Sequence, residues 1–139
     1  MIILSVDYGR VRTGIAVCDK REILASPVCT ITEPDMKKLG EKIKSIAEEK
    51  RAEMIVLGLP RNMDGTEGES AQNVRSFAEI LKEKTGLPVE FSDERGTTVT
   101  AHSFLNETDT RGKKRKAVVD AVAAVIILED YLSFRRNNI

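Results

Sequence analysis

The sequence contains few of the residues that disulfides and zinc sites require. Its 139 residues include two cysteines, one histidine and no tryptophan. Neither Cys18 nor Cys29 has a second cysteine or histidine at ligand spacing, and a hairpin around residues 20–21 would separate the two by about 20 Å, whereas a disulfide needs Cα atoms within roughly 7 Å. We therefore expect two unbridged, buried cysteines, and we interpret His102 as structural.

Net charge and long apolar runs are also absent. Lys+Arg and Asp+Glu both number 22, so any surface that binds a polyanion must be local. The longest apolar run, residues 121–128, is far shorter than the roughly 20 residues that cross a bilayer, and Asp7 comes too early for a secretory segment. We expect one domain over residues 1–139, in the cytoplasm and without a membrane partner.

A carboxylate ends the first apolar stretch of the chain. Residues 2–6 are typical of a buried central strand, and Asp7 follows directly. A basic turn containing Arg10 and Arg12 comes next, so the chain is expected to reverse and return as a second strand. Asp7 and the two arginines are therefore predicted to share one rim of a sheet. The glycines that bracket the predicted turn are Gly9 and Gly14, and the predicted return strand is residues 15–17.

After the second strand, the chain alternates predicted strands with amphipathic helices. A strand that follows such a helix is typical of parallel pairing, so we expect the strand at residues 54–57 to lie parallel to the first strand. A third strand contains Pro27, so we place it on an edge of the sheet. The predicted strands cover residues 23–31, 54–57 and 88–92. The predicted helices cover residues 36–47, capped by Asp35, and 71–84, which starts after Ser70 as cap and stops at Gly86. A short helix ending at Leu105, a loop over 111–116 and a buried helix over 117–128 complete the chain.

A second carboxylate interrupts the most apolar helix. Among residues 117–128 only Asp120 is polar, and burying an unpaired carboxylate costs several kcal/mol. A third acid, Glu94 or its neighbour Asp93, ends the last predicted strand. Carboxylates without histidine or thiolate suit Mg²⁺ or Mn²⁺, and two such ions can activate water and stabilise the leaving oxygen in phosphodiester cleavage.

Each of these features also has a structural alternative. Asp7 could accept hydrogen bonds from the turn, and Asp120 could pair with Lys116 or with the helix dipole. Residues 93–95 could serve as a cap and salt bridge. The basic run 111–116 could be a solvated loop, or it could hold a nucleic-acid backbone beside the metals.

Four motifs occur in an order that resembles the YqgF family of RuvC-like, RNase H-fold proteins. They span nearly the whole chain and read VDYGRVRTGIAV, VLGLPRNMDGTEGESAQ, DERGTT and a lysine-led VVDAVAAVIIL. The resemblance implies an α/β fold with a five-stranded mixed sheet, three antiparallel strands then two parallel, and helices on both faces. It also implies a two-metal nuclease site whose acids match Asp7, Asp120 and one of Asp93 and Glu94.

The leading hypothesis is a Mg²⁺- or Mn²⁺-dependent endonuclease with Asp7, Glu94 and Asp120 as ligands of two ions. The resemblance implies either maturation of the 5′ end of pre-16S ribosomal RNA or resolution of Holliday junctions. The partner would be pre-rRNA or branched DNA, with ribosomal particles as a further partner, and the chain would act as a monomer or homodimer. The expected phosphate contacts are Arg10, Arg12, Arg61, Lys113, Lys114, Arg115 and Lys116.

Two other classes stay open at this point. Gly96 stands where the DERLTT-like motif of the family usually has a larger apolar residue, which leaves room for a nucleic-acid or ribosome-binding factor without catalysis. The pattern Asp7-x-Gly9 followed by Thr13-Gly14 also resembles the phosphate hairpin of actin-like ATPases. Length argues against a phosphotransferase, because those proteins use two such domains around the nucleotide.

Overall fold

The described part of the chain forms one sheet between two helical layers. The structure, a computed structural model, describes residues 1–60, 68–93 and 112–137, with the backbone alone for residues 93 and 112–121. The elements in chain order are β1 (Ile3–Asp7), β2 (Arg12–Cys18), β3 (Ala25–Thr32), α1 (Met36–Lys50), β4 (Met54–Leu59), α2 (Glu69–Thr85), β5 (Val89–Asp93) and α3 (Gly112–Asn137).

The sheet is mixed, with β1 at its centre in the order β3-β2-β1-β4-β5. β1, β2 and β3 form an antiparallel meander, because short turns join them. β4 runs parallel to β1, and β5 runs parallel to β4, since each follows a crossover helix. The predicted arrangement of three antiparallel strands followed by two parallel strands is confirmed.

Both faces of the sheet are covered, as the apolar run of β1 predicts. Leu4 and Val6 pack into the core beneath α1 and α2. Ile3 belongs to the opposite core, beneath α3. Ser5 lies on the same face as Ile3 and is fully buried there. Alternation along β1 therefore places Asp7, the next residue of that parity, on the α3 face.

The edge strand β3 confirms the position predicted from Pro27. A bulge lies opposite Ile15 and Ala16, whose partners in β3 are Cys29 and Pro27. The strand begins at Ala25, so its predicted start at residue 23 is wrong. Residues 23 and 24 are exposed instead, because the chain reverses through Glu22, whose φ is 58°.

The capping predictions are confirmed for α1 and corrected for α2. Asp35 caps α1 by accepting from the amides of residues 37 and 38 at 2.8 and 3.1 Å. α2 begins at Glu69 with Gly68 as its cap, so Ser70 lies inside the helix and is not its cap. Gly86 ends α2 as predicted, with φ at 70°.

α3 is longer than predicted at both ends. The backbone is helical from Gly112, so the predicted loop over residues 112–116 is wrong, which agrees with the high helix propensity of lysine and arginine. The helix continues to Asn137. Arg111 and the predicted short helix ending at Leu105, with His102, lie outside the described residues.

Neither cysteine forms a disulfide, as expected: Cys18 is buried and Cys29 half-buried. Among the described residues, no helix is long and apolar enough to cross a membrane.

Candidate functional site

Asp7 lies at the carboxyl end of the central strand. It is the last residue of β1 and pairs with Gly14 across β2. Gly14 is therefore a strand residue, and the predicted boundary of the turn at this glycine is wrong. β2 begins at Arg12, which leaves a tight turn over residues 8–11. The Asp7 side chain is half-buried on the α3 face of the sheet.

The two sheet neighbours of Asp7 are glycines. Gly14 is its partner on β2. On β4, Leu57 pairs with Val6, and Gly58 is the next residue. Neither neighbour has a side chain that could fill the space beside the carboxylate. A glycine within an apolar strand often marks close approach of a ligand or another backbone.

α3 crosses this face antiparallel to β1. The Ser5 hydroxyl donates to the carbonyl oxygen of Ala124 at 2.7 Å. Farther along the helix, the Tyr131 hydroxyl contacts the Met54 sulfur at 3.8 Å, beside the start of β1. The contact with Ala124 fixes which turn of the helix faces the middle of the strand.

This register brings the Asp120 backbone level with Asp7. Asp120 precedes Ala124 by four residues, a helical rise of about 6 Å. Asp7 follows Ser5 by two residues, a strand rise of roughly 6.6 Å in the same direction. The two predicted acids are therefore at the same height on facing elements, although the Asp120 side chain lies outside the described atoms.

The third acid starts two strands away from Asp7, as the predicted topology required. β5 is separated from β1 by β4, a lateral distance of about 10 Å. Asp93, the last residue of β5, pairs with Leu59, whose side chain lies in the core beneath α1 and α2. Glu94 and Gly96 lie outside the described residues.

The donor chemistry at this rim fits a hard divalent cation. Asp7 brings a carboxylate to this rim, and the backbone of Asp120 lies level with it. Carboxylate oxygens are the ligands that Mg²⁺ and Mn²⁺ prefer. Within the part of the chain whose side chains are described, no group of three or more His, Cys, Asp or Glu residues converges. The other predicted ligands, Asp120 and either Glu94 or Asp93, have side chains outside the described atoms.

Of the predicted phosphate-binding residues, Arg10 and Arg12 have described side chains, and both lie near the end of β1 that carries Asp7. Arg10 lies in the turn after β1, where its guanidinium binds the Glu69 carboxylate at 3.0 Å. Arg12 is half-buried at the start of β2 and pairs with Thr32 of the edge strand. Arg61 lies outside the described residues. The backbone of residues 113–116 forms the first turns of α3, at the end of the helix that contains Asp120.

The turn after β1 has a geometry that only glycine permits at Gly9, its second residue. A Cβ at Gly9 would collide with the carbonyl oxygen of Arg12. The hydroxyl of Thr13, which is fully buried, lies 3.3 Å from the Gly9 amide and 3.4 Å from its carbonyl. The buried Thr13 side chain therefore holds the backbone of the turn that carries Arg10.

A small cavity of about 90 Å³ lies beside this turn, between the end of β4 and the start of α2. Tyr8 forms one wall and stacks on Phe77, with ring centroids 4.8 Å apart. Burial raises the pKa of Tyr8, and the nearby Arg10 partly opposes that shift, so the phenol keeps its proton. Ser70 and Asn73, from the first turns of α2, also line the cavity. The sequence predicts only a capping role for Ser70 and no role for Asn73.

A larger cavity of about 350 Å³ lies at the opposite end of the strands. It is lined by residues near the ends of α1 and α2, including Lys44 and Arg51. The amino ends of the parallel strands lie there, whereas ligands in open α/β sheets bind at the carboxyl ends. The Asp7 rim is therefore the candidate site.

Proteins with similar sequences match nearly the whole chain. A protein of Clostridioides difficile (strain 630) named "Putative pre-16S rRNA nuclease" is 45% identical over 136 residues, covering 98% of this chain and 96% of the relative. A protein of Endomicrobium trichonymphae with the same name is 44% identical over 134 residues and covers 96% of each chain.

Solved structures share the fold at low sequence identity. The T. thermophilus RuvC in complex with a Holliday junction substrate has a TM-score of 0.59 at 14% identity and covers 98% of this chain and 96% of its own. The fowlpox virus resolvase in complex with Holliday junction DNA has a TM-score of 0.61 at 12% identity, covering 97% and 99%. The predicted RNase H-like fold class is thereby confirmed.

The RuvX family, described as Holliday junction resolvase, matches residues 1–134. Together with the relatives at 44–45% identity, this match agrees with the family expected from the four sequence motifs. The chain therefore belongs to the RuvX family, the YqgF family of the sequence analysis.

Proposed function

We propose that the protein is a metal-dependent endonuclease that hydrolyses phosphodiester bonds in structured nucleic acid, most directly at the 5′ end of pre-16S rRNA. One observation carries this proposal. Asp7 ends the central strand between Gly14 and Gly58, beneath the helix turn that brings Asp120 to the same height. Carboxylates carried by these two positions would supply the oxygen ligands that a divalent cation takes in a nuclease.

The residues that would hold Mg²⁺ or Mn²⁺, as two ions, are Asp7, Asp120 and Glu94. Bound ions of this kind would supply activation of water and stabilisation of the leaving oxygen. Register speaks against Asp93, because it pairs with Leu59, a position that faces the core beneath α1 and α2. The sheet and the Ser5 contact to α3 position the two backbone segments that carry Asp7 and Asp120.

The substrate assignment rests on the names of the relatives and on the basic residues around the rim. Both relatives described above are named for pre-16S rRNA. Arg10, Arg12 and Arg61 would position the backbone of the nucleic acid, together with the basic turn at residues 113–116. Such a substrate places the protein in the cytoplasm beside ribosomal particles.

The test compares Asp7→Asn with Asp19→Asn, a matched loss of charge in the exposed turn between β2 and β3. We expect Asp7→Asn to keep its fold by circular dichroism and lose at least about 100-fold in cleavage of a pre-16S leader RNA with Mn²⁺. Asp19→Asn should cleave like the wild type, and a chelator should stop both active proteins. Undiminished cleavage by folded Asp7→Asn would refute the proposal.

Resolution of Holliday junctions is the second candidate, favoured by the family description and the RuvC-like fold. A two-fold junction needs two sites, so a resolvase should be a dimer on the DNA. Parallel cleavage of the leader RNA and a four-way DNA junction, with the mass measured by light scattering, separates the two substrates. A binding factor without catalysis would cut neither and would show no Asp7-dependent heat of Mn²⁺ binding.

A further inference from the structure

The guanidinium of Arg10 already holds an anion, the carboxylate of Glu69. Their ion pair, at 3.0 Å, joins the turn after β1 to the first turn of α2. Both side chains are largely exposed, with 75% and 78% of their surface accessible. An exposed pair of this kind contributes roughly 0–1 kcal/mol, so a stronger anion can displace the carboxylate.

The surroundings of the pair suit an anion better than a neutral group. Glu69 lies in the first turn of α2, where the helix dipole favours negative charge. The adjoining cavity presents Ser70, Asn73 and Tyr8, all of which have a side-chain donor. Its volume of about 90 Å³ equals the space of roughly three water molecules, which accommodates phosphodiester oxygens and excludes a nucleobase.

We propose that the turn cavity bounded by Tyr8, Arg10, Ser70 and Asn73 is a subsite for a backbone phosphate of the substrate. In the free protein the Glu69 carboxylate occupies the Arg10 guanidinium, and the phosphate replaces it when nucleic acid binds. The subsite rests on the proposed function and deepens it, because it lies at the same end of the strands as Asp7, on the α2 side of the sheet. Binding exchanges one ion pair for another: the phosphate takes the Arg10 guanidinium, and the Glu69 carboxylate turns into solvent. Glu69 thereby weakens binding in proportion to the strength of its pair with Arg10.

The experiment is a double-mutant cycle on RNA affinity. A fluorescein-labelled RNA hairpin with a single-stranded 5′ extension is titrated by fluorescence anisotropy, without divalent metal so that it stays uncut. The proteins are the wild type, Glu69→Gln, Arg10→Ala and the double variant. Glu41→Gln serves as the matched control, since Glu41 is also an exposed helix carboxylate, paired with Lys84 at 2.6 Å.

We expect Glu69→Gln to tighten binding about 2- to 5-fold and Glu41→Gln to change it less. Arg10→Ala should weaken binding and reduce the salt dependence by about one phosphate contact. In the Arg10→Ala background, Glu69→Gln should have no more effect than Glu41→Gln, because the cation that Glu69 occupies is gone.

The outcomes separate this subsite from the proposed function. If the wild type binds the RNA but Glu69→Gln and Glu41→Gln have equal effects, the subsite is refuted and the nuclease proposal stands. If Glu69→Gln tightens binding equally with and without Arg10, the Glu69 carboxylate only repels the RNA through its charge. In that case the replacement of Glu69 by a phosphate on Arg10 is refuted. If the wild type fails to bind the RNA at all, the proposed function itself is contradicted.

Discussion

Replacing Ser5 with alanine removes a hydroxyl buried between the central strand and α3. Its bond to the Ala124 carbonyl is 2.7 Å long, and both residues are fully buried. The carbonyl lies inside a helix and accepts from the amide four residues later, so the variant leaves no unsatisfied acceptor. The loss is one neutral hydrogen bond and a small void, about 1 kcal/mol of unfolding free energy.

This magnitude is measurable as a shift of about 3 °C in the thermal midpoint for a chain of this size and as a lower urea midpoint with unchanged slope. Ser45→Ala is the matched control. Its hydroxyl also donates to a helix carbonyl, that of Glu41 at 3.3 Å, but it is exposed. We expect that control to stay within about 0.5 kcal/mol of the wild type.

The Ser5 variant also tests how α3 is positioned. Since the contact sets the helix turn opposite Asp7, Ser5→Ala should weaken Mn²⁺ binding several-fold at temperatures where both proteins remain folded. A Ser5→Ala protein as stable as Ser45→Ala would refute the energetic reasoning. A destabilised variant with unchanged Mn²⁺ affinity would refute the positional role.

Three further changes test other features. Gly9→Ala forces a Cβ against the Arg12 carbonyl, so we expect a loss of roughly 2 kcal/mol in urea unfolding; an unchanged midpoint would show that the turn opens freely. Hydrogen bonds from Arg135 lower the pKa of Glu22 in the folded protein. The ionised carboxylate therefore stabilises the fold fully at pH values above about 4.5, and this stabilisation is lost as the pH falls through the lowered pKa. Glu22→Gln should therefore be less stable at neutral pH by about 1 kcal/mol, and the difference should close in acid; a constant difference across a pH series would contradict this. Ala124→Leu should cost about 1–3 kcal/mol by chemical denaturation, because α3 lies close to the sheet there; a neutral result would mean that the helix can move away.

The sequence was informative where a rule acts locally or along a whole strand. The apolar run ending at Asp7 predicted a central strand covered on both faces, since burial on both sides leaves no polar alternation. Pro27 predicted an edge because it cannot donate to a ladder. Asp35 predicted a helix start because its side chain can accept two orphan amides, and the structure has both bonds.

The remaining features depend on partners distant in sequence. Ser5 looked like one more member of an apolar run, and only the packing of α3 reveals its hydroxyl as a buried donor. Gly58 looked like the end of a strand, whereas register with β1 places it beside Asp7. The ion pair between Arg10 and Glu69 joins residues far apart in the chain, and no local pattern announces such a pair.

The contact between Ser5 and Ala124 joins residues 119 positions apart, which affects the order in which the molecule is assembled. β1, β2 and β3 pair with their chain neighbours and can form early, whereas α3 is made more than one hundred residues after β1. Until that helix leaves the ribosome, the sheet face beneath it stays uncovered, and Asp7 lacks the helix whose backbone lies level with it. A partly synthesised chain therefore cannot complete this rim, and any chemistry there starts only after translation has passed α3.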